Sequence, residues 1–359
     1  MKSYIFLLPV RNLNINKTHY AFKIINSLEI IIDMIALGIE STAHSFGVGI
    51  MDDNGKCHAN LIDMYKAPRG WGIHPMEAAK HHEKVYSVLL RDAFRKAGIT
   101  WDDIDIIAFS QGPGLPPCLH VGLRVAGGLV KKHEKPMVPV NHCIAHVEIG
   151  RQCTGAKDPV ILYVSGANTQ VLSFVEGRYR CFGETQDIGI GNALDKFGRG
   201  INLSFPAGPK IEQAAKGGRW TQLPYSVKGM DLSFSGIVSE AIRRYERGIP
   251  DADLCYSIQE TCFAMLTEVT ERALAHTNKK EVLLTGGVAA NMRLQEMLKI
   301  MCKERKAKFW TVPREFSGDN GAMIAWNGLI MEKSGQYEWD PEYDIKPRQR
   351  TDEIEVLWL

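Results

Sequence analysis

From Met34 onward the apolar positions fall into patterns that recur. "MIALGIEST" is an apolar run ending in a turn. "SFGVGIMDDNG" alternates and stops at Asp-Asn-Gly, and "KCHANLIDMY" reads as a third strand. "HPMEAAKHHEKVYSVLLRDAFRKAGI" spaces its apolar residues at helical intervals, with Gly98 as the stop. "IDIIAFSQGPG" predicts a buried strand entering a Gly/Pro loop, and a helix follows through "VGLRVAGGLVKKH". The order then returns. "PVILYVSGANTQVLSFVEGRYRCF" is strand, small-residue turn, strand, turn, strand. Helices follow around "GPKIEQAAKGG" and "LCYSIQETCFAMLTEVTERALAH", and "EVLLTGGVAANMRL" runs from a strand into a loop and helix. This repeated β-β-β-α-β-α order predicts an α/β fold of two similar domains facing a cleft. With so little residue identity between the halves, two unrelated α/β domains remain the alternative.

The 359-residue length agrees with two domains rather than one core. An apolar content of 45% and a charged content of 23% are those of a globular protein. A net charge of +2 excludes a global basic field, so any nucleic-acid contact must come from a local patch or from partners. The eight cysteines form no C-x-x-C pair, which favours reduced thiols in a cytoplasm over a disulfide framework. Residues 1–33 carry one short apolar run, Tyr4 to Val10, too short to span a membrane and followed by no small-residue cleavage pattern. They read as an extension or a start-site artefact, with Met34 opening the fold.

Three small-residue turns could let a phosphate approach backbone N–H groups: Tyr163–Thr169, Leu284–Asn291, and Gln186–Arg199 with its Asp187 and Asp195. A single glycine turn usually only turns the chain; three in the second half favour a nucleotide site. There is no G-x-x-x-x-G-K-[ST], and no G-x-G-x-x-G follows the first strand, so P-loop and Rossmann sites are unsupported.

"NHCIAHVEIG" sets His142 and His146 four apart, on one face of a helix. Neutral imidazoles at that spacing can chelate one metal, and Asp319, in a turn before a C-terminal helix, would complete a two-His, one-carboxylate set suited to Fe(II) or Zn(II). A pair of surface or capped histidines fits the spacing equally well. The protease motif H-E-x-x-H fails, because Cys143 stands where its glutamate base belongs and Glu148 does not substitute. His81 and His82 lie in an amphipathic helix and default to the surface. Lys66, Arg69 and His74 form a basic cluster near an aromatic that could meet RNA phosphate, although exposed loops often look like this. The Met-containing "CFAMLTEVTERALAH" reads as core helix.

"NHCIAHVEIG", "YVSGANTQV", "TQDIGIGNALDKFGR", "FPAGPKIEQAAKGG", "LTGGVAANMRL" and "SGDNGAMIAW" together resemble the tRNA N6-adenosine threonylcarbamoyltransferases, formerly labelled O-sialoglycoprotein endopeptidases. "DIGIGNALDKFGR" resembles the archaeal and eukaryotic branch, the catalytic subunit of the KEOPS complex. The resemblance runs from about Met34 to the C-terminus. It implies an actin-like ATPase (ASKHA) fold of two duplicated RNase H-like domains around a nucleotide cleft. The expected boundaries are 34–158 with a helix at about 317–335, 159–316, and a tail at 336–359. By resemblance, His142, His146 and Asp319 match metal ligands, with Tyr163 reaching the same ion. Tyr163, Val164, Ser165, Gly166 and Ala167 match a ligand-binding segment. Asp195, Gly208, Glu212 and Asn291 match nucleotide or substrate contacts. Glu212 suits ribose hydroxyls, and Asn291 a purine edge or phosphate.

The implied cofactors are one divalent metal, Fe(2+) favoured over Zn(2+), and an adenine nucleotide. The implied reaction moves threonylcarbamoyl from its adenylate to N6 of the adenosine 3′ of the anticodon, in tRNAs reading ANN codons. The implied partners are tRNA and the other KEOPS subunits: a kinase-like ATPase, a small dimerising subunit and a tRNA-binding subunit. No membrane partner is implied, and a cytoplasmic location is expected. Some archaeal relatives carry the kinase fused after the C-terminus, and an end at Leu359 is open to either arrangement. Two departures stand out. Ala167 replaces the second glycine of the ligand turn, where a methyl could crowd a phosphate. Pro116, Pro117, Cys118 and His120 make the "GPGLPPCLHVGLRV" loop unusual. The rival functions are an actin-like phosphotransferase, which would turn over ATP without tRNA, and a non-catalytic scaffold, which need hold no metal.

Overall fold

The computed structural model describes residues 34–68, 71–336 and 342–359. The segment 1–33 and Arg69 of the basic loop lie outside the described residues.

The first half folds as β1 (Ile35–Glu40), β2 (Ser45–Asp52), β3 (Cys57–Met64), α1 (Pro75–Ala97), β4 (Ile106–Gly112), α2 (Pro116–His133), β5 (Met137–Asn141) and α3 (His142–Thr154). The second half gives β6 (Val160–Val164), β7 (Thr169–Val175), β8 (Arg178–Glu184), α4 (Ile190–Gly200), α5 (Gly208–Ala214), the short pair β9 (Val227–Lys228) and β10 (Asp231–Leu232), α6 (Ser235–Glu246) and α7 (Asp251–Thr277). It ends with β11 (Glu281–Thr285), α8 (Met292–Glu304), β12 (Lys308–Thr311), a single turn α9 (Arg314–Ser317) and α10 (Gly321–Ser334).

One sheet runs β3-β2-β1-β4-β5 and the other β8-β7-β6-β11-β12. In both, the first three strands pair antiparallel and the last two join in parallel. The strand order and senses of one half are therefore those of the other. The faint internal repeat is realised as a duplicated two-domain α/β fold, and the reading of two unrelated domains falls away.

Differences from the sequence pattern have local causes. β5 and β12 are only five and four residues long, too short to show a period. α2 begins at Pro116, not near Val121, because Pro116 and Pro117 occupy the first turn, where their missing N–H groups cost nothing. α4 runs through "IGNALDKFGRG", a stretch whose glycines read as turn.

One face of the first sheet packs Leu37, Ile39, Phe46, Val48 and Ile50 against α1 and α2. Its other face receives α10 at very close range. A Cβ built on Gly49 would lie 2.0 Å from Ala322 N, and one on Gly38 would lie 2.2 Å from Gly321 O. Only glycine permits this approach of helix to strand. The glycines of "ALGIE" and "SFGVG" thus seat α10, and with it the loop holding Asp319. α7 is the buried helix the sequence predicts, with Cys262, Phe263, Met265, Leu266 and Val269 in the core. α3 also packs on the second sheet, where Val147 meets Ile161, Leu172, Tyr179 and Val356.

The C-terminal segment straps both halves. Lys346 N–H donates to Gln111 O at the end of β4 (2.8 Å), the Thr351 hydroxyl to Gln170 Oε1 on β7 (3.1 Å), and Val356 N–H to Gly177 O beside β8 (2.8 Å). Among the described residues no helix is long and apolar enough to cross a membrane.

Candidate functional site

β5 passes into α3 without a loop. Asn141, the last strand residue, is also the helix cap, its side-chain oxygen accepting from the N–H groups of Cys143 (3.0 Å) and Ile144 (3.1 Å). His142 is thereby the first helical residue and His146 lies one turn on, their ring centroids 4.8 Å apart. Asp319 is fixed by the next residue. The Asn320 side chain accepts from Met323 N–H (2.9 Å), capping α10, and donates to Gly318 O (2.8 Å). Asp319 Oδ1 then lies 3.3 Å from His146 Nε2 and 3.5 Å from His142 Nε2. One ligand atom from each of the three residues falls within a 4.8 Å set.

Glu40, which the sequence reading passed over, sits behind this group. It is fully buried at the end of β1, and its Oε2 lies 2.9 Å from His142 Nδ1. Its other oxygen accepts from the Thr42 N–H (2.7 Å) and the Thr42 hydroxyl. An ionised carboxylate can only accept, so the proton of this bond belongs to Nδ1, and Nε2 is the atom presented to Asp319. Burial opposes charging His142, but the Glu40 carboxylate outweighs it and, with Asp319, raises its pKa to about 9. His146 is lowered, first by burial and then, against the pull of Asp319, by the His142 charge. Burial works against ionising Asp319, yet the two imidazoles hold its carboxyl well below the usual carboxylate range. The centre is thus built to hold positive charge between two imidazoles and a carboxylate.

Among the described residues two further buried polar atoms at this centre have no hydrogen-bond partner, His146 Nδ1 and the Tyr163 hydroxyl. Such orphans are uncommon in protein interiors. The Tyr163 ring lies 5.2 Å from that of His146, and burial, with the Cys143 and Asp319 charges, pushes its phenol well above the ordinary value. The donor set of two imidazole nitrogens, one carboxylate and a nearby phenol, with one imidazole oriented by a carboxylate behind it, fits a divalent transition metal.

Above this floor opens a cleft of about 690 Å³. Thr42, His44, Ile73, Gly114 and Leu115 line one wall. Ser165–Asn168, Asn192, Asp195, Lys196, Arg199 and Phe205 line the other, and His142 and Asp319 are at the bottom. The Ser165 hydroxyl accepts from Asn168 N–H (3.0 Å) and closes the turn. Gly166 and Ala167 are exposed in it, and no hydrogen bond among the described residues uses their amides. Ala167 is outside the left-handed region, so its methyl group imposes no backbone strain. Gly189 and Gly191 have a different task from the one their spacing implies. A Cβ on either would meet the backbone of residues 165–167, at 2.4 Å from Gly166 O and 2.7 Å from Ser165 O, respectively. They let α4 dock its first turn on the ligand turn, with Gly191 N–H donating to Ser165 O (3.0 Å) and Asn192 N–H to Gly166 O (2.9 Å).

The remaining sequence candidates separate. Val164 is core, its carbonyl packed under Gly286. Asp195 lines the cleft and accepts from Ala207 N–H (2.7 Å), one residue before Gly208 opens α5; burial raises its pKa. Glu212 lines a second cavity of about 1040 Å³ with Gln259 and Met292, and accepts from Met292 N–H (2.8 Å). Asn291 caps α8 with its oxygen and donates to Gln259 Oε1 (3.1 Å), so both ends of its amide are engaged. Asp187 is an anchor. It accepts from the Ser235 hydroxyl and from the N–H groups of Phe234 and Ser235 (3.0 Å each), and although burial alone would raise its pKa, these bonds, the hydroxyl's first, lower it to about 2.

The surface default fails for His82, which is fully buried with Nε2 3.1 Å from Ala43 O, while His81 meets Asp63 at 2.8 Å. Glu148 is buried with its carboxylate held by Tyr179 and Arg151, so it is no base for a hydrolytic water. Besides Glu40, sequence reasoning missed Thr42, His44, Asn192, Lys196, Arg199 and Phe205. A charged residue closing an otherwise apolar strand, as in "ALGIE", was the available signal for Glu40.

Two like α/β domains with a cleft over a ligand turn define the actin-like ATPase-type class of fold. The crystal structure of HypF from Thermococcus kodakarensis superposes with a TM-score of 0.57 at 15% identity, covering 84% of this chain and 48% of that one, and shows the likeness of fold alone. The family model for tRNA N6-adenosine threonylcarbamoyltransferase matches residues 57–326, and the chain belongs to that family. The tRNA N6-adenosine threonylcarbamoyltransferase of Thermococcus kodakarensis is 56% identical over 327 residues, 90% of this chain and 100% of the relative. A probable bifunctional tRNA threonylcarbamoyladenosine biosynthesis protein of Methanocaldococcus jannaschii is 54% identical over 327 residues. These are 91% of this chain but only 61% of that longer protein. The protein is accordingly a transferase enzyme, of the family that serves tRNA threonylcarbamoyladenosine biosynthesis.

Proposed function

We propose that the protein transfers the threonylcarbamoyl group of threonylcarbamoyl-AMP to N6 of the adenosine 3′ of the anticodon, in tRNAs reading ANN codons. It does so in the cytoplasm as the catalytic subunit of KEOPS, with a kinase-like ATPase, a small dimerising subunit and a tRNA-binding subunit. The observation that carries this reading is the meeting of His142, His146 and Asp319 beneath a ligand turn with two unused amides. The N6 amine adds to the carbamoyl carbon and a C–N bond forms. The bond from that carbon to the phosphate oxygen breaks, AMP departs with the electron pair, and N6 loses a proton.

His142, His146 and Asp319, with the Tyr163 hydroxyl close by, would hold one divalent ion, Fe(2+) in preference to Zn(2+). When bound, such an ion supplies Lewis acidity at a carbonyl or phosphoryl oxygen. The amides of Gly166 and Ala167 receive the phosphate, where oriented N–H dipoles favour the charge that leaves with AMP. Asp195, Gly208 and Glu212 serve the adenosine side, and Asn291 shapes the loop that faces them. We assign residues 34–158 with the helix at 317–335 to one domain, 159–316 to the other, and 336–359 to the tail.

The test is transfer of labelled threonylcarbamoyl to tRNA by the assembled subunits, with wild-type chain and with His142→Ala and Asp319→Ala. Transfer that falls at least a hundredfold in both variants is expected. Normal rates in both would sink the reading.

A further inference from the structure

Trp71 is the most exposed large apolar side chain among the described residues, 70% accessible. Its backbone N–H donates to Pro68 O (3.0 Å). The next two residues, Gly72 and Ile73, line the cleft. A tryptophan left in water next to the residues of a reaction cleft presents a large apolar face to solvent.

Cations stand in the lining of the same cleft and next to it in the chain. Lys196 and Arg199, successive-turn residues of α4, line one wall. On the C-terminal strap Pro347 lines the cleft, flanked by Lys346 and Arg348. All four cations are exposed, and among the described residues none makes a salt bridge or side-chain hydrogen bond. Elsewhere arginines such as Arg293 and Arg350 are paired with carboxylates. With a net charge of only +2, unpaired cations gathered at one mouth are the chain's local field. The strap that carries two of them is itself fastened to the metal helix, since Asn141 Nδ2 donates to Gln349 Oε1 (3.1 Å).

From this we infer that the cleft mouth is a landing site for single-stranded RNA. Trp71 stacks on a base next to the one that enters, and Lys346 and Arg348, with Lys196 and Arg199, take the flanking phosphates. An aromatic platform beside a cationic track is the chemistry that recognises unpaired nucleotides. A protein partner would instead need acids among its contacts to match these cations. The inference deepens the proposed function, because the acceptor adenine of that reading has to enter this cleft.

The experiment measures binding of a tRNA anticodon stem-loop oligonucleotide to the full chain, and separately the KM and kcat for tRNA in the assembled transferase. Trp71→Ala is expected to weaken stem-loop binding about tenfold and to raise KM for tRNA with little change in kcat, while Trp71→Phe keeps most of the affinity. Lys346→Ala with Arg348→Ala should flatten the slope of log affinity against log salt by about 1.4, two single-strand contacts. Binding of AMP should be unchanged in all three. Unaltered stem-loop binding by Trp71→Ala, an unaltered salt slope, no RNA binding by the wild type, or loss of a protein subunit in place of RNA would each overturn the inference. Stem-loop binding that depends on Trp71, together with absence of transfer by the wild type, would keep the landing site and remove the proposed reaction.

Discussion

Glu40 Oε2 lies 2.9 Å from Nδ1 of His142, and both residues are buried. The pair fixes which imidazole nitrogen faces Asp319. Carboxylates behind metal-ligating histidines typically account for a 10–100-fold difference in metal affinity. Glu40→Ala should therefore lower affinity for a divalent ion by about that factor, and Glu40→Gln, whose amide oxygen can still accept from Nδ1, by less. Isothermal titration with Zn(2+) distinguishes them; equal affinity in all three proteins would show that Glu40 does not orient the ligand.

The glycine contact between β2 and α10 predicts a stability effect remote from any chemistry. A Cβ at position 49 would stand 2.0 Å from Ala322 N, against backbone that cannot swing aside. Gly49→Ala should cost about 3 kcal/mol or more, at the upper end of overpacking effects. Thermal unfolding should fall by several degrees, and divalent-ion affinity should fall too, because Asp319 lies in the loop that α10 anchors, one residue before the Asn320 cap. An unchanged melting temperature would contradict the packing described.

His82 predicts a pH effect. Its pKa is lowered to about 4, mainly by burial and then by the neighbouring His81 charge. Between about 6.5 and 4 the unfolded chain therefore binds a proton that the folded chain refuses. Stability from this residue is intact above about 6.5 and is lost as pH falls toward 4, by about 3 kcal/mol. His82→Gln should flatten the decline of melting temperature over that range; an equally steep decline would remove His82 as its source.

Tyr179 and Arg151 together hold the buried Glu148 carboxylate. Tyr179→Phe removes one donor and leaves the charge less satisfied, at a cost of about 1–3 kcal/mol. If Glu148 served as a base for peptide hydrolysis, loosening it would change cleavage of a glycoprotein substrate. No such cleavage is expected from wild type or variant, and mass spectrometry of the incubated substrate checks this.

How much of this was legible in the sequence depends on range. The strands that alternate or run apolar, β1 to β4 and β6 to β8, announce themselves, and so does the stop at Gly98, which takes the left-handed conformation. The His142–His146 spacing is local and readable. Asp319 is 173 residues from His146; its turn before a helix makes it a candidate, and the family resemblance selects it over other loop carboxylates. Glycines are ambiguous in sequence. Those at 189 and 191 look like a phosphate turn but serve a backbone-to-backbone contact with residues 165–167. His82 looked like surface because helix periodicity does not say which flank a strand loop will cover. Glu40 shows only as a charge closing an apolar strand, and its partner, 102 residues away, is what local reading does not supply.

The most direct measurement is metal content and transfer activity on the same preparations of wild type, His146→Ala and Asp319→Ala, each assembled with its subunits. The account predicts one divalent ion per wild-type chain, and parallel loss of ion and of threonylcarbamoyl transfer to tRNA in both variants, with folding retained by circular dichroism. Full transfer by a chain stripped of metal would contradict it.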